Sequence, residues 1–536
     1  MGESAKLGAF DAIVVGAGHN GLITAAYLAK SGLKVAVFEA RHVVGGCAVT
    51  EELWPGFKIS RLSYVNSLFR PDIVRDLNLT KYGFEMLPRD PSSFTPFPDK
   101  RYMLLGPDKS LCRSEIAKFS KNDAEAYPKY EEMLTEISEV LEPMMEMIPP
   151  NPGKLTFSDV TTYGGFLLKN RDKIKHQWPE IMRLMTGSAT DLLNEWFESD
   201  ELKSTLATDA VIGANASPAM PGTAYILFHH VMGECNGVRG VWGYMRGGMG
   251  AISNALADSC RALGVEIHTS TPVQHIMVRD GQAIGVVVKG GREYTAKAIV
   301  SGADPNVTFN KLINESDLPA DFVRQVRRIN YDSASVKINL ALSELPDFTA
   351  CPGKTVGPQH RGTIHICPNS QYIEEAYADS VRGVPSRNPI LECTIPSSVD
   401  STIAPPGKHV MNIFTQYGPY SLKNGKTWEQ EKESYADRCI DILAQYAPNI
   451  KNAILHREVL TPVDLEREFN LTGGNLFHGR MTLDQMFNMR PVPGYANYKT
   501  PLKGLYMCGS GTHPGGGVMG TSGLNATKVI LKDFGR

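Results

Sequence analysis

Residues 16–21, Gly-Ala-Gly-His-Asn-Gly, constrain this chain more than any other stretch. They follow an apolar, β-branched run from Asp11 to Val15 and lead into a small-and-apolar stretch from Gly21 to Lys30. That setting gives a Gly-x-Gly-x-x-Gly turn mechanical meaning. Gly16 makes the tight turn, Gly18 lets the backbone approach a pyrophosphate, and Gly21 lets helix and strand pack closely. Lys34 to Glu39 reads as a second strand. Strand, helix and strand within about 30 residues make a βαβ unit with a right-handed crossover. Glu39 ends the second strand 18 residues after Gly21, where a carboxylate can accept hydrogen bonds from ribose hydroxyls. The N–H groups of the helix N-terminus face the phosphates. A dinucleotide cofactor is expected, and these residues alone do not separate NAD from FAD.

Two further glycine groups extend the reading. Gly45 and Gly46 follow Glu39 closely and allow the backbone to pass the same cofactor, while Cys47 beside them reads as a packed thiol. At the far end, residues 509–520 (GSGTHPGGGVMG) follow the apolar run Gly504 to Cys508 and precede a final helix from about Ser522. So many glycines between strand and helix suggest N–H groups aimed at a ligand. Gly516 is expected over the reactive ring of the cofactor. His513 is a weak candidate acid or base there, or a brace for the loop.

With 536 residues and 42% hydrophobic composition, the chain can bury a large core and divides into two to four domains at about 150 residues each. Its formal net charge of -2 leaves no basic field to gather nucleic acid. Nine cysteines form no Cys-x-x-Cys pair and no metal-ligand spacing, so a reducing compartment is expected and no metal. No run of about 20 apolar residues predicts a membrane-crossing helix. MGESAKLGAF has no apolar core of a secretory signal and no arginine, so no clear presequence is expected. Helices are predicted from Asn122 to about Met147, from Gly248 to Leu263 and from Glu429 to Tyr446. Strands are predicted around 265–269, 283–288, 298–301, 336–342 and 410–414. The run Pro149 to Gly153 reads as a boundary or hinge.

GAGHNGL, then FEARHVVGG, then GSGTHPGGGVMG resemble the phytoene desaturase family of FAD oxidoreductases, which includes carotenoid isomerases and retinol saturases. TEELWPGFKISRLSY, WFESDELKSTLATDAVIGA and WGYMRGGMGA are similar to a mitochondrial animal member. The resemblance covers nearly the whole chain. It implies an α/β fold in which a Rossmann-like FAD-binding domain with a mixed sheet is interleaved with an α+β substrate domain. The expected division gives residues 1–110, 230–310 and 495–536 to FAD, and 111–229 and 311–494 to the substrate or cap domain. It further implies FAD contacts at Gly16, Gly18, Gly21, Glu39, Gly45, Gly46, Gly509, Ser510 and Val518, with Val273 a weaker match on the adenine side. Ser510 departs from the acidic residue that many relatives carry there.

What the resemblance implies of function is an apolar small-molecule substrate, with His229, His230, Trp242, Tyr244 and Arg246 as tunnel candidates that serve equally as core. It implies a mitochondrial (matrix) location, peripheral membrane contact and a respiratory-chain partner, a cytochrome c oxidase subunit. The alternative is a flavin-binding regulatory or scaffold protein with little turnover. Without a Cys-x-x-Cys pair or a second Gly-x-Gly-x-x-Gly, dithiol disulfide reduction is not expected.

Overall fold

The computed structural model describes residues 9–536; the leader question attached to the first ten residues therefore falls mostly on Met1 to Gly8, outside the described residues. Strand Ala9–Val15 lies between Val35–Phe38 and Glu293–Ser301, parallel to both. Glu266–His268 adds a further parallel strand beside Val35–Phe38, and Leu505–Met507 pairs with the C-terminal half of Glu293–Ser301. The antiparallel hairpin Val273–Arg279 and Gln282–Val288 completes this mixed sheet of seven strands.

Both faces of the sheet are covered, which explains the near-continuous apolar runs in its central strands. Ala12, Val14, Val35 and Val37 pack under helices His19–Lys30, Gly250–Ala262 and Thr521–Asp533. Ile13, Val15, Ala36 and Phe38 point the other way, onto Phe309, Phe322 and Val326. The alternation follows from the period of two along a strand. Helix His19–Lys30 ends on Ser31 and Gly32, where the positive φ of Gly32 turns the chain into the next strand.

A second sheet of seven strands runs in the order Ile454–Leu460, Ser335–Leu342, His409–Gln416, Ile390–Thr394, Thr363–Ile366, Ser93–Pro96 and Tyr102–Leu105. Ser93–Pro96 is parallel to Thr363–Ile366, and the other pairings are antiparallel. Two of these strands therefore come from within residues 1–110. The chain enters the second sheet earlier than the expected division places it, because Ser93–Pro96 finds its free edge partner there. Helices Lys121–Met145, Arg171–Thr186 and Thr223–Val231 share an apolar cluster built on Tyr130, Ile137, Leu184 and Phe228. Ser120 caps the first of them, accepting the Asp123 N–H at 3.1 Å.

Candidate flavin site

At the nucleotide end each glycine has its own physical reason. Gly16 has φ of +94°, a conformation in which only glycine is unstrained. A side chain on Gly21 would run into the Gly16 carbonyl oxygen, so that glycine is required by packing. Gly18 differs: its φ is −66°, and a Cβ there would meet nothing within 4 Å. Gly18 stands before helix His19–Lys30 with no side-chain cap, leaving the first-turn N–H groups free for an anion. The buried atoms His19 Nε2 and Asn20 Oδ1 also lack partners, as expected where a polar cofactor lies against them.

Glu39 is buried beside this turn. Its carboxylate accepts the Ala17 N–H at 2.7 Å and the Arg41 N–H at 2.8 Å. Two bonds leave acceptor capacity on both oxygens for ribose hydroxyls. Gly45 donates its N–H to the Ala17 carbonyl at 2.9 Å, and Gly45 and Gly46 have φ of +122° and +55°. Val273 flanks the same cavity next to Pro272. A Glu39→Ala protein is expected to bind FAD roughly 10- to 150-fold more weakly, the 1.5–3 kcal/mol of hydrogen bonds to a charged group. Equilibrium titration of the apoprotein with FAD checks this, and an unchanged Kd would remove Glu39 from the site.

The C-terminal loop closes the site from the opposite side. Cys508 donates to the Ser301 carbonyl at 2.8 Å, and a side chain on Gly509 would strike the Gly302 carbonyl. Gly509, Ser510, Gly517 and Val518 line the cavity together with Gly16, Gly18, Gly21, Glu39, Gly45 and Gly46. Gly516 and His513 do not. A side chain on Gly516 would collide with the Phe477 ring, and its carbonyl faces His229 Nε2 at 3.0 Å. Glycine is needed there for packing against Phe477. His513 turns its Nε2 to the Met144 carbonyl at 3.2 Å, and its own carbonyl accepts the Tyr498 hydroxyl at 2.6 Å. It ties the loop to helix Lys121–Met145.

Sequence reasoning missed Arg490. Its guanidinium is 1% exposed and has no carboxylate partner among the described residues. It donates to the Ser510 carbonyl through Nε at 3.0 Å and Nη2 at 2.9 Å, and also to the Phe477 carbonyl. Burial pulls its pKa down to about 10, so it remains charged at neutral pH, directly behind the cavity-lining Ser510. A single arginine in a Pro-rich stretch carries no pattern that could have announced this.

Three buried histidines add a pH dependence. Burial pushes the imidazoles of His19 and His513 down to about 4 and that of His229 to about 3. They stay neutral in the fold, whereas in the unfolded chain they protonate near 6.5. The unfolded chain therefore binds more protons below that pH, and stability falls as pH drops from 6.5 toward 4. The expected loss by pH 5 is roughly 2 kcal/mol per histidine. Urea unfolding at pH 7.5 and pH 5 measures it, and equal stabilities would contradict neutral burial.

The cavity itself measures about 1200 Å³ and runs from the glycine turn to the second sheet. The sequence profile of the flavin-containing amine oxidoreductases matches residues 21–531. The chain belongs to that family. It is 45% identical, over 98% of its length and 94% of the relative's, to pyridine nucleotide-disulfide oxidoreductase domain-containing protein 2 of Rattus norvegicus. It is 23% identical, over 97% and 99%, to the lycopene-forming phytoene desaturase of Pseudescherichia vulneris. Among solved structures, wild-type putrescine oxidase bound to putrescine shares the fold, with a TM-score of 0.59 at 16% identity over 98% of this chain and 99% of that one. The phytoene desaturase likeness seen in the motifs thus holds, and the protein is an FAD-dependent oxidoreductase. Despite the rat relative's name, the sequence carries no Cys-x-x-Cys motif. All nine are free, and burial raises the Cys47 and Cys508 thiols to about 12.

Proposed function

We propose that this flavoenzyme changes the bond order of a long, mostly apolar molecule that it takes from a lipid surface. The observation that carries the reading is the cavity, whose length beyond the nucleotide site is walled by Leu62, Leu68, Leu134, Ile212, Leu227 and Phe414. Apolar walls of this extent suit a hydrocarbon chain, with a few polar groups left to orient it. FAD, when bound, supplies the hydride acceptor, and the chain supplies position, exclusion of water and electrostatics.

An exposed apolar face supports delivery from lipid. Phe157 and Leu168 are 84% and 75% exposed, and Val160, Leu167, Trp178 and Met182 join them on two consecutive helices, with exposed Leu155 just before the first. Lys154, Lys169, Arg171 and Lys175 flank these residues in sequence against Asp159, Asp172 and Glu180, a small positive excess that suits an anionic bilayer surface. The second of these helices is fastened to the cavity wall: Lys173 donates to Glu139 at 2.7 Å and Gln177 to Glu136, a lining residue. No helix among the described residues is long and apolar enough to cross a membrane. A mitochondrial location belongs to the same proposal and is checked by fractionating cells that express the full chain.

Anaerobic titration of the FAD-loaded protein with fractionated lipid extracts tests the activity. Bleaching of the oxidised flavin band by one fraction is the expected result. A flavin that no fraction reduces, and whose reduced form no fraction reoxidises, would favour a regulatory flavoprotein instead.

A further inference from the structure

One end of the cavity is not apolar. Where it meets the second sheet, His365, Glu392, Phe414 and Lys337 form a transverse row, each directly opposite the next on neighbouring antiparallel strands. Directly opposed residues present their side chains on the same face. The row therefore puts a histidine, a carboxylate and an amine on one face of a sheet whose strands are otherwise filled with Ile, Leu and Val. Arg89, Tyr64 and Asp209 complete the wall around it. Arg89, His365, Glu392 and Lys337 are all buried. Burying so many ionisable groups costs stability unless each finds a partner.

The pairing is incomplete, and the shortfall is specific. Arg89 donates from Nη1 to the Thr363 hydroxyl at 2.5 Å and weakly from Nε to the Trp242 carbonyl at 3.4 Å, leaving Nη2 uncommitted. His365 Nδ1 engages the Thr208 hydroxyl at 3.1 Å. Glu392 Oε2 has only a 3.4 Å contact from the Tyr64 hydroxyl, and Oε1, fully buried, makes no hydrogen bond and lies 3.5 Å from His365 Nδ1. Lys337 is spent on Asn412 at 3.0 Å, behind the Tyr64 ring. Two cavity-lining groups are therefore under-bonded at one end: the Glu392 carboxylate, through the weakly engaged Oε2, and the Arg89 guanidinium, through Nη2.

We infer that this end holds the neutral, hydroxyl-type head of an otherwise apolar substrate, which donates to Glu392 and accepts from Arg89. The inference rests on the apolar-chain reading of the cavity and adds a polar terminus to it. Charge selects against the alternatives. An alkylammonium would stand against the Arg89 guanidinium, and a carboxylate would stand against Glu392 and Asp209. Burial and the nearby Glu392 charge raise the Asp209 pKa. A hydroxyl satisfies both free groups and brings no charge. Glu392 and Arg89 are positioning residues in this account.

Calorimetric titration of the FAD-loaded protein with octan-1-ol, 1-methoxyheptane, octylamine and octanoate tests the inference. Octan-1-ol is expected to bind tightest, roughly fivefold or more ahead of the ether, which accepts but cannot donate. Glu392→Leu should erase that gap and leave ether affinity unchanged, whereas Glu392→Gln, which keeps an acceptor oxygen, should preserve it. Arg89→Met should weaken alcohol and ether together, and it gives a second reading if the Glu392→Leu protein does not fold. Tightest binding of octylamine or octanoate, or equal affinity for all four probes, would overturn the head-group inference while leaving the apolar cavity standing. Failure of every probe to bind would overturn the apolar-chain reading, and this inference with it.

Discussion

A Gly18→Val protein is expected to purify colourless, folded and free of FAD. Most glycine substitutions in a nucleotide turn confound loss of ligand with loss of fold. Gly16→Val would force a β-branched residue to φ near +94°, and Gly21→Val would drive a side chain into the Gly16 carbonyl; both should destabilise the apoprotein. Gly18 escapes both problems. Its φ of −66° and ψ of 163° are ordinary extended values, which valine tolerates well, and a Cβ there enters open space. That space adjoins the free N–H groups at the start of helix His19–Lys30, where the pyrophosphate is expected to lie. The valine thus displaces the ligand without disturbing the protein. The apo forms of wild type and variant should unfold at the same urea concentration, and only the wild type should be stabilised by added FAD. A variant that keeps full FAD content would show that the cofactor does not approach the turn.

The contrast among these glycines shows how much of the site was legible beforehand. The nucleotide end is written in local sequence, because a tight turn, a helix start and a carboxylate at the end of the next strand lie within about 30 residues and depend on backbone geometry. Gly16, Gly18, Gly21 and Glu39 come together around one turn. The C-terminal loop is also legible as a glycine-rich strand-to-helix passage. Which of its glycines faces the ligand is not, since that depends on Phe477, distant in sequence, filling the space behind Gly516. The same limit applies to the fold. Central strands announce themselves by apolar runs, but the early entry of Ser93–Pro96 into the second sheet depends on an edge offered by Thr363–Ile366. The polar row at the cavity end left only single charged residues inside apolar strands, and their alignment is a matter of register between four strands. Long-range pairing of this kind has no local signature.

Arg490 carries the other large expected effect, and two opposing terms decide its sign. Burying the guanidinium without a carboxylate is unfavourable: the fall of its pKa from 12.5 to about 10 corresponds to roughly 3 kcal/mol. Arg490→Met would relieve that cost. Against it stand the bonds that would be lost. Two go to the Ser510 carbonyl at 2.9 and 3.0 Å and a third to the Phe477 carbonyl, with longer contacts to the carbonyls of Gly479, Arg480 and Gln485. Hydrogen bonds from a charged donor contribute about 1.5–3 kcal/mol each, and buried acceptors left unpaired add their own penalty. The bonds win, and Arg490→Met is expected to lose on the order of 3–5 kcal/mol of stability in denaturant unfolding. Arg490→Lys should not rescue it, because an ammonium cannot reproduce a planar fork reaching two separate chain segments. The damage should extend to the cofactor. Those segments, 477–485 and 510, hold Phe477 behind Gly516 and Ser510 at the cavity wall, so FAD content should fall along with stability. An Arg490→Met protein that matches wild type in both unfolding midpoint and FAD content would mean that the loop is held by its own packing and that the buried charge is incidental.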